Sequence, residues 1–508
     1  ALSLRGPLDV EAVRQTFAAL VSRHPALRTV FPEAGGQPVQ QFLAAGRPLE
    51  VPLLRASGAT RAERRAHAEE LAVGDGQRPF DLERGPLLRV ALYEIDADEH
   101  LLAFHMHHIV TDGWSIGVMS REIPVLYEAF ARGAGPPTLP ALPVDYGDVA
   151  AWQREWIDSG ALEPSVEFFR RRMAAAPATV LPTDRPRPTV QSHRGGMVPI
   201  ELPAELRGRL EALAREEGAT LFMAMLAVFY ALLGRMTGER QLRIGTPMAG
   251  RELSEVEGML GFFANSLVLF GDLRGEPSFR QLLGRVRRQT LESYEHREVP
   301  FEYLVERLNV SRDAGRNPLF QVMFALQKSS VGEIEFPGLK AQVVDLPNPT
   351  THFDMEWHLW SRGDALGGYI SYSADLFEPQ TVLALAARYG TLLIAALDQP
   401  DRPIGELEAL PRWEIEEIRT RAAEIAPDRE IRPLRGFLAA LAPDAPAVVD
   451  GDGACWTAGR IAGWVAAARE AWSPRLTEGD EVLWPAEESA AGLVGALAAW
   501  SLGARLIA

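Results

Sequence analysis

His107-His108-Ile109-Val110-Thr111-Asp112-Gly113 follows a short apolar run, residues 101–106, that predicts a buried β-strand. Asp112-Gly113 ends the strand pattern, and a helical pattern begins after it. Because side chains alternate along a strand, His107 and His108 should point to opposite faces, and only one of them can face a given cavity. We therefore expect one chemical histidine and one structural histidine.

Two alternatives compete for these histidines. A lone histidine in an apolar strand is more often a hydrogen-bonded core residue than a catalyst, but an adjacent pair followed by Asp-Gly is a rarer pattern. A neutral imidazole is also the usual proton acceptor near pH 7, which favours catalysis. The other alternative is a metal site at His105, His107, His108 and Asp112. No Cys or second carboxylate cluster stands beside them to complete a ligand set, so we predict no metal.

Composition narrows the class of protein. A chain of 508 residues should contain two to four folding units. Its net charge of −16 argues against nucleic acid as a partner. The single cysteine, Cys455, excludes a disulfide framework within one chain and indicates a reducing, cytoplasmic compartment. No apolar run of membrane-spanning length and no signal peptide are predicted. The chain starts without Met in a strand-like pattern, which leads us to expect a piece of a longer protein.

Changes in composition predict the domain organisation. Four prolines between residues 174 and 188 mark a boundary, and the strand and helix patterns recur on both sides of it. We therefore predict two similar α/β lobes, residues 1–176 and 177–397. Residues 398–433 are rich in proline and charge and read as a linker. Residues 434–508 form a further, partial α/β segment.

The histidine-containing stretch resembles the HHxxxDG signature of the condensation domains of nonribosomal peptide synthetases, a family that shares the chloramphenicol acetyltransferase fold. Further segments are similar to other motifs of that family and occur in the family's order. They are residues 23–31, with Pro25 for the usual Glu; 144–152; 260–267, with Ala264 and Ser266 for Val and Thr; 295–302, with Arg297-Glu298 for Gln-Asp; and 312–324. Residues 351–355 match a later segment, with His352 in place of Lys.

The resemblance implies a fold. We expect an α/β (α+β) chain with two chloramphenicol acetyltransferase-like lobes in a V-shaped pseudo-dimer and the active site at their interface. Residues 434–508 look like the opening of an adenylation domain, without the phosphate loop that such a domain needs to activate an amino acid.

The resemblance and the residue chemistry together assign roles. His108 is expected to contact the attacking amine, and the backbone N–H of Gly113 to stabilise the oxyanion, since glycine permits a close approach. His107, Asp112 and Arg28 are expected to be structural. Arg28 lies in an apolar stretch where a cation needs a partner, and Asp112 is the obvious candidate. Candidates for lining the tunnel are Trp114, Asn265, Ser266 and His352.

The activity implied is peptide-bond formation between a peptidyl or aminoacyl thioester and an aminoacyl thioester. Both would be presented by peptidyl carrier proteins on phosphopantetheine arms, with an adjoining adenylation domain and no cofactor bound by this chain. The sequences of the motifs resemble those of the subtype that takes an L-configured donor. An epimerisation domain and a stand-alone acyltransferase remain alternatives, whereas His107 stands where the cyclisation branch needs Asp.

Overall fold

The computed structural model describes residues 1–46, 48–310, 313–328, 336, 338–344, 346, 350–362, 365–425, 442–449, 455–477, 479–483, 490–502 and 504–507. Arg312 of the predicted motif at 312–324, Glu478 and Gly503 of the adenylation-like segment, and residues 426–433 of the predicted linker lie outside them. The chain divides into two compact units, Ala1–Pro411 and Arg412–Ala508.

The first unit contains a long alternation of strands and helices. Its strands are β1 (Leu2–Arg5), β2 (Thr29–Val30), β3 (Glu33–Ala34), β4 (Gln37–Pro38), β5 (Gln41–Phe42), β6 (Leu53–Arg55), β7 (Leu88–Asp96), β8 (Glu99–Met106), β9 (Gly195–Leu202), β10 (Gln241–Met248), β11 (Asn265–Asp272), β12 (Val322–Lys328), β13 (Lys340–Val343), β14 (Met355–Arg362) and β15 (Ala365–Ser373). Its helices are α1 (Val10–Arg23), α2 (Arg61–Gly76), α3 (Gly113–Ala131), α4 (Tyr146–Asp158), α5 (Glu163–Ala175), α6 (Glu205–Glu216), α7 (Leu221–Thr237), α8 (Phe279–Tyr294), α9 (Phe301–Leu308) and α10 (Pro379–Asp398).

The first lobe is built on a five-stranded sheet with the order β13-β1-β8-β7-β6. Strand alternation sorts the side chains of β7: Val90 and Leu92 pack with α1 and α3, whereas Ala91 and Tyr93 pack with α2. Helix α1 begins at Val10, because the carboxylate of Asp9 accepts hydrogen bonds from the first turn. The sheet thus delivers the end of β8 to the start of α3.

The second lobe is built on a six-stranded sheet with the order β11-β10-β12-β14-β15-β9. Helix α7 packs on this sheet and is almost wholly buried. Helix α10 is long and apolar enough to cross a bilayer by composition alone. Its side chains Val382, Leu385 and Tyr389 lie in the core of this lobe, which explains their apolar character.

Elements cross between the lobes, so the cores do not follow the predicted boundary between residues 176 and 177. Strand β13, from the second half of the chain, pairs antiparallel with β1 of the first lobe. Helix α5, which precedes the boundary, places Leu162, Val166 and Phe169 in the core of the second lobe.

Two segments predicted to be connections are tied to the second lobe. In the proline-rich joint, Arg187 forms an ion pair with Asp354, whose side chain is fully buried. In the predicted linker, Ile404 and Leu407 are buried in the second-lobe core. Arg235 donates hydrogen bonds to the carbonyls of both residues, each at 2.6 Å. The first part of the predicted linker is therefore packed structure.

The second unit has a small core of its own, formed by Ile461, Ala490, Val494 and Leu497. Strands β16 (Pro446–Val449) and β17 (Cys455–Thr457) pair antiparallel, and β18 (Glu481–Leu483) and β19 (Arg505–Ile507) pair parallel. Its elements are α11 (Arg412–Ile425), β16 (Pro446–Val449), β17 (Cys455–Thr457), α12 (Ala458–Trp472), β18 (Glu481–Leu483), α13 (Ala490–Ser501) and β19 (Arg505–Ile507).

Candidate active site

His107 occupies the turn between β8 and α3. Its Nδ1 accepts a hydrogen bond from the backbone N–H of Ile109 at 3.1 Å, which holds the short 3-10 turn that follows. Its ring meets Phe80 edge-on, with centroids 6.0 Å apart. Burial, and then the neighbouring His108, lower the pKa of His107. His107 is therefore held by contacts within the first lobe.

His108 is the exposed member of the pair. Its ring lies edge-to-face against Phe262, with centroids 4.9 Å apart. Within the described part of the chain, no group hydrogen-bonds to its ring nitrogens. The imidazole is therefore oriented by an aromatic contact and keeps both nitrogens available for another molecule.

Asp112 caps helix α3 and is buried. Its Oδ1 accepts hydrogen bonds from the backbone N–H of Ser115 at 2.8 Å and from the Ser115 hydroxyl at 2.7 Å. Its Oδ2 accepts one from the backbone N–H of Phe263 at 3.0 Å. The carboxylate thus joins the histidine turn to the loop between β10 and β11.

The cation that pairs with Asp112 is Arg251, so the predicted pairing with Arg28 is wrong. Nη2 of Arg251 lies 3.1 Å from Oδ1 of Asp112, and its side chain is 0% exposed. Its Nη1 donates to the carbonyls of Val256 and Met259 at 2.6 and 2.7 Å. Arg28 instead donates from Nη1 to the carbonyl of Leu43 at 2.6 Å. The helix cap and the N–H of Phe263 hold the Asp112 carboxylate against the loop between β10 and β11, and Arg251 belongs to that loop.

The N-terminus of α3 lies directly beyond the paired histidines. Among the described residues, none accepts a hydrogen bond from the backbone N–H of Gly113 or Trp114. The first N–H groups of a helix have no partner within the helix, and they favour negative charge. Apart from its chain neighbours and its own helix backbone, a Cβ at Gly113 would meet no atom within 4 Å, so there is open space beside the Cα of this glycine.

The four tunnel candidates have different surroundings. Trp114 is 41% exposed, and its indole N–H donates to the carbonyl of Glu257 at 2.9 Å. Ser266 is half-buried on β11. The exposed His352 lies on the second lobe, and its backbone N–H donates to Oε1 of Glu356 at 3.1 Å. The amide of Asn265 is used structurally, because it donates to the carbonyl of Val299 at 2.7 Å and accepts from the N–H of Phe301 at 2.9 Å.

The metal alternative required His105, His107, His108 and Asp112 to converge. His105 lies on the face of the sheet that α2 covers, where its Nε2 is 3.9 Å from Oδ2 of Asp75. Asp112 is saturated by its helix cap and Arg251. Over the residues that the structure describes, no group of three or more His, Cys, Asp or Glu is arranged to hold a metal ion.

Three contributors to the site carried no assigned role in the sequence interpretation: Arg251, Ser115 and Tyr146. The Tyr146 hydroxyl donates to the carbonyl of Phe262 at 2.8 Å, and burial raises its pKa. A Cβ at Gly261 would lie 2.4 Å from the Tyr146 ring, so glycine is needed at this crossing. Two features of the sequence could have identified two of them: Arg251 directly follows Gly250, and Ser115 stands three residues after Asp112, the spacing of a helix cap and its partner.

The chain belongs to the condensation domain family, whose model matches residues 1–418. Members of this family in nonribosomal peptide synthetases form amide bonds, an acyltransferase-type reaction. The family and the enzyme class predicted from the motifs are confirmed.

Individual relatives agree with this assignment. The chain is 42% identical over 409 residues to a linear gramicidin synthase chain of Brevibacillus parabrevis; the match covers 80% of this chain and 5% of that protein. It is similar to the X-domain from teicoplanin biosynthesis (TM-score 0.73, 29% identity), with 80% of this chain and 92% of that one covered. The four-domain synthetase AB3403, solved with AMP and glycine, matches in fold over 99% of this chain and 39% of its own (TM-score 0.73, 22% identity). The predicted fold class is confirmed.

Proposed function

We propose that this chain forms a peptide bond between a peptidyl or aminoacyl thioester donor and an aminoacyl thioester acceptor. The observation that carries the proposal is the division of roles at the turn between β8 and α3. His107 and Asp112 are engaged in hydrogen bonds to the protein, whereas the His108 imidazole has no hydrogen bond to a described residue. His108 is thus the group at this turn that is available to a substrate.

The reaction needs a neutral amine, a positioned proton acceptor and stabilisation of an oxyanion. The acceptor nitrogen attacks the donor carbonyl and forms the C–N bond, while His108 accepts a hydrogen bond from the amine and then its proton. The backbone N–H of Gly113 donates to the carbonyl oxygen as negative charge develops there. Collapse of the tetrahedral intermediate breaks the C–S bond, and the proton passes to the departing thiolate.

The partners of the reaction follow from the proposed chemistry. Donor and acceptor carrier proteins present their substrates on phosphopantetheine arms, and the chain itself binds no cofactor. The sequences of the motifs support an L-configured donor. We also propose that residues 434–508 begin an adenylation domain, supported by the second compact unit and the fold match to AB3403. The single cysteine supports work in the cytoplasm.

The test is a single-turnover assay with loaded donor and acceptor carriers, read by mass spectrometry of the product. We expect His108→Ala to slow peptide-bond formation by about 10² to 10⁴ with its melting temperature unchanged. Arg132→Ala, at the far end of α3, is the matched control and should keep the parent rate. A parental rate in His108→Ala would contradict the proposed role, and a D-configured, uncondensed donor as the product would indicate epimerisation instead.

A further inference from the structure

A cavity of about 900 Å³ lies at the outer edge of the first-lobe sheet, and neither of the paired histidines lines it. Its walls come from α2, from β7 and from the segment between the 3-10 turn at Pro25–Arg28 and β6. Its volume lies within the range of small-ligand sites. Its apolar lining includes Leu27, Val30, Leu43, Leu49, Leu54 and Leu71.

One wall of the cavity is the open half of a strand edge. In the pairing of β7 with β8, Leu87 accepts from the N–H of His107, so residues 87, 89, 91 and 93 bond to β8. The main-chain groups of residues 88, 90 and 92 therefore point to the other edge. At that edge the N–H of Leu92 donates to the carbonyl of Pro52. Strand β6 begins opposite Leu92, so Val90 has no strand neighbour on this side of β7.

The main chain of Val90 is an unusual feature of this wall. The residue is only 2% exposed, yet no described residue donates to its C=O or accepts from its N–H. Buried backbone groups are nearly always hydrogen-bonded, and an open strand edge is a template for another extended chain. The cavity therefore offers a main-chain donor and acceptor to its occupant.

The charges around the cavity complement a zwitterion. The Nε of Arg28 is buried and has no hydrogen-bond partner within the described residues, and its guanidinium forms no ion pair there. Glu50 and Glu70 lie exposed at the rim, and neither is in an ion pair with a described residue. A half-buried cation without a counterion favours a ligand carboxylate, and rim carboxylates favour a ligand ammonium.

We propose that this cavity binds a short linear peptide with free termini in an extended conformation. The main chain of the peptide pairs with Val90 at the open edge of β7, its apolar side chains fill the leucine-rich walls, and its C-terminal carboxylate meets Arg28. A tetrapeptide, about 13 Å long at the rise of a β-strand, has the required reach. An acyl chain with a carboxylate would satisfy Arg28 but leave the strand edge unpaired.

The test is isothermal titration of the full chain with the tetrapeptide Val-Ala-Val-Leu, free at both ends. We expect saturable binding of one peptide per chain. The C-terminal amide of the same peptide should bind about tenfold more weakly, because it loses a charge-assisted hydrogen bond. N-methylation of each internal amide in turn should weaken binding about fivefold or more at one position, since strand pairing uses alternate N–H groups.

Variants of Gly74 locate the binding site in the cavity. Gly74 lines the cavity from helix α2, and a Cβ there would meet no atom within 4 Å. Gly74→Leu should fold and fill the cavity, which lowers peptide affinity at least tenfold. Gly74→Ala is the matched control and should bind like the parent. Arg28→Gln should remove the preference for the free acid over the amide, whereas Arg121→Gln, outside the cavity, should preserve it.

Three results would overturn the proposal. The first is the absence of saturable peptide binding up to millimolar concentration. The second is equal competition by octanoate, which would show that a chain and a carboxylate suffice. The third is a dimer of this chain, seen by sedimentation, that dissociates in Gly74→Leu, which would show that a second copy fills the cavity.

Discussion

Asp112 and Arg251 form a buried ion pair that holds the candidate active site together. Both charges are removed from water, and such a pair is tolerated only when further hydrogen bonds satisfy it. Asp112 receives these bonds from Ser115 and Phe263, and Arg251 donates to two carbonyls of its own loop. The guanidinium also lies 4.1 Å over the ring of Phe263. The pair therefore fixes the loop against the start of α3.

Removal of Arg251 should cost stability. Arg251→Met leaves Asp112 buried and uncompensated, and we expect the free energy of unfolding to fall by about 3–5 kcal/mol. Urea unfolding at pH 7 measures this loss, with Arg121→Met as an exposed control that should stay within about 0.5 kcal/mol of the parent. The double variant Asp112→Leu with Arg251→Met should recover part of the loss. An Arg251→Met protein as stable as the parent would show that the pair contributes nothing.

The error over Arg28 has a physical reason. The sequence identifies Asp112 as a buried carboxylate that needs a cation, and this inference is correct. Sequence spacing does not tell which cation reaches it, because Arg251 arrives through a tertiary contact 139 residues away. The contrast between His107 and His108 is also local, but it does not come from alternation along a strand as predicted: β8 ends at Met106, His107 caps the 3-10 turn that follows, and His108 is the first residue of that turn.

At the scale of elements, Glu122 connects α1 to α3. Its Oε2 lies 2.8 Å from Nε2 of His24, and its Oε1 accepts from Nε of Arg23 at 3.0 Å. Burial raises the pKa of Glu122, but the hydrogen bond and charge of His24, followed by those of Arg23, lower it further, so the net pKa lies below its usual value. The ionised form therefore stabilises the packing of the two helices.

The stability from Glu122 should depend on pH. A carboxyl whose pKa is lower in the folded state stabilises above its unfolded pKa, about 4.3, and loses that contribution as the pH falls through its folded pKa. We expect Glu122→Gln to cost about 2 kcal/mol at pH 7. The difference from the parent should shrink towards zero near pH 3 in urea unfolding. Glu128→Gln, half-buried on the same helix and paired only with Arg132 one turn later, should change stability by no more than about 0.5 kcal/mol at either pH. A pH-independent cost of Glu122→Gln would disprove the charge argument.

Strand β13 allows a second prediction for an element. Ala1 and Val344 exchange main-chain hydrogen bonds, so Gln342 also faces β1 with its N–H, whereas the N–H of Val343 points outwards. Gln342→Pro should remove a ladder hydrogen bond, and Val343→Pro should not. We expect amide exchange at Ser3 and Arg5 to become about fivefold faster or more in Gln342→Pro. Equal exchange in the two proline variants would show that β13 does not hold this edge.

At the scale of the whole molecule, the lobes interleave through β13 and α5. The recurrence of strand and helix patterns around the proline-rich joint predicts two α/β lobes, because side-chain periodicity is a local property. It does not tell which sheet a strand joins, since pairing depends on contacts distant in sequence. For the same reason the sequence predicts a linker at residues 398–411. The sequence shows their prolines and charges, but it does not show that Ile404 and Leu407 are buried against the second lobe.

This burial predicts where the first unit can be cut. A chain that ends at Pro411 keeps Ile404, Leu407 and the carbonyls that satisfy Arg235, whose pKa is lowered by burial. We expect it to melt like the full chain's first unit and to condense loaded carriers at close to the full rate. A chain that ends at Asp398 loses both apolar side chains and leaves the Arg235 guanidinium without these two carbonyl acceptors. It should be less stable by several kcal/mol, because each buried apolar side chain contributes roughly 1.5–3 kcal/mol. Calorimetry of the two chains distinguishes packed structure from linker. Equal melting temperatures of the two chains would show that residues 399–411 are a linker. A chain that ends at Pro411, folds and does not condense would show that the second unit shapes the active site.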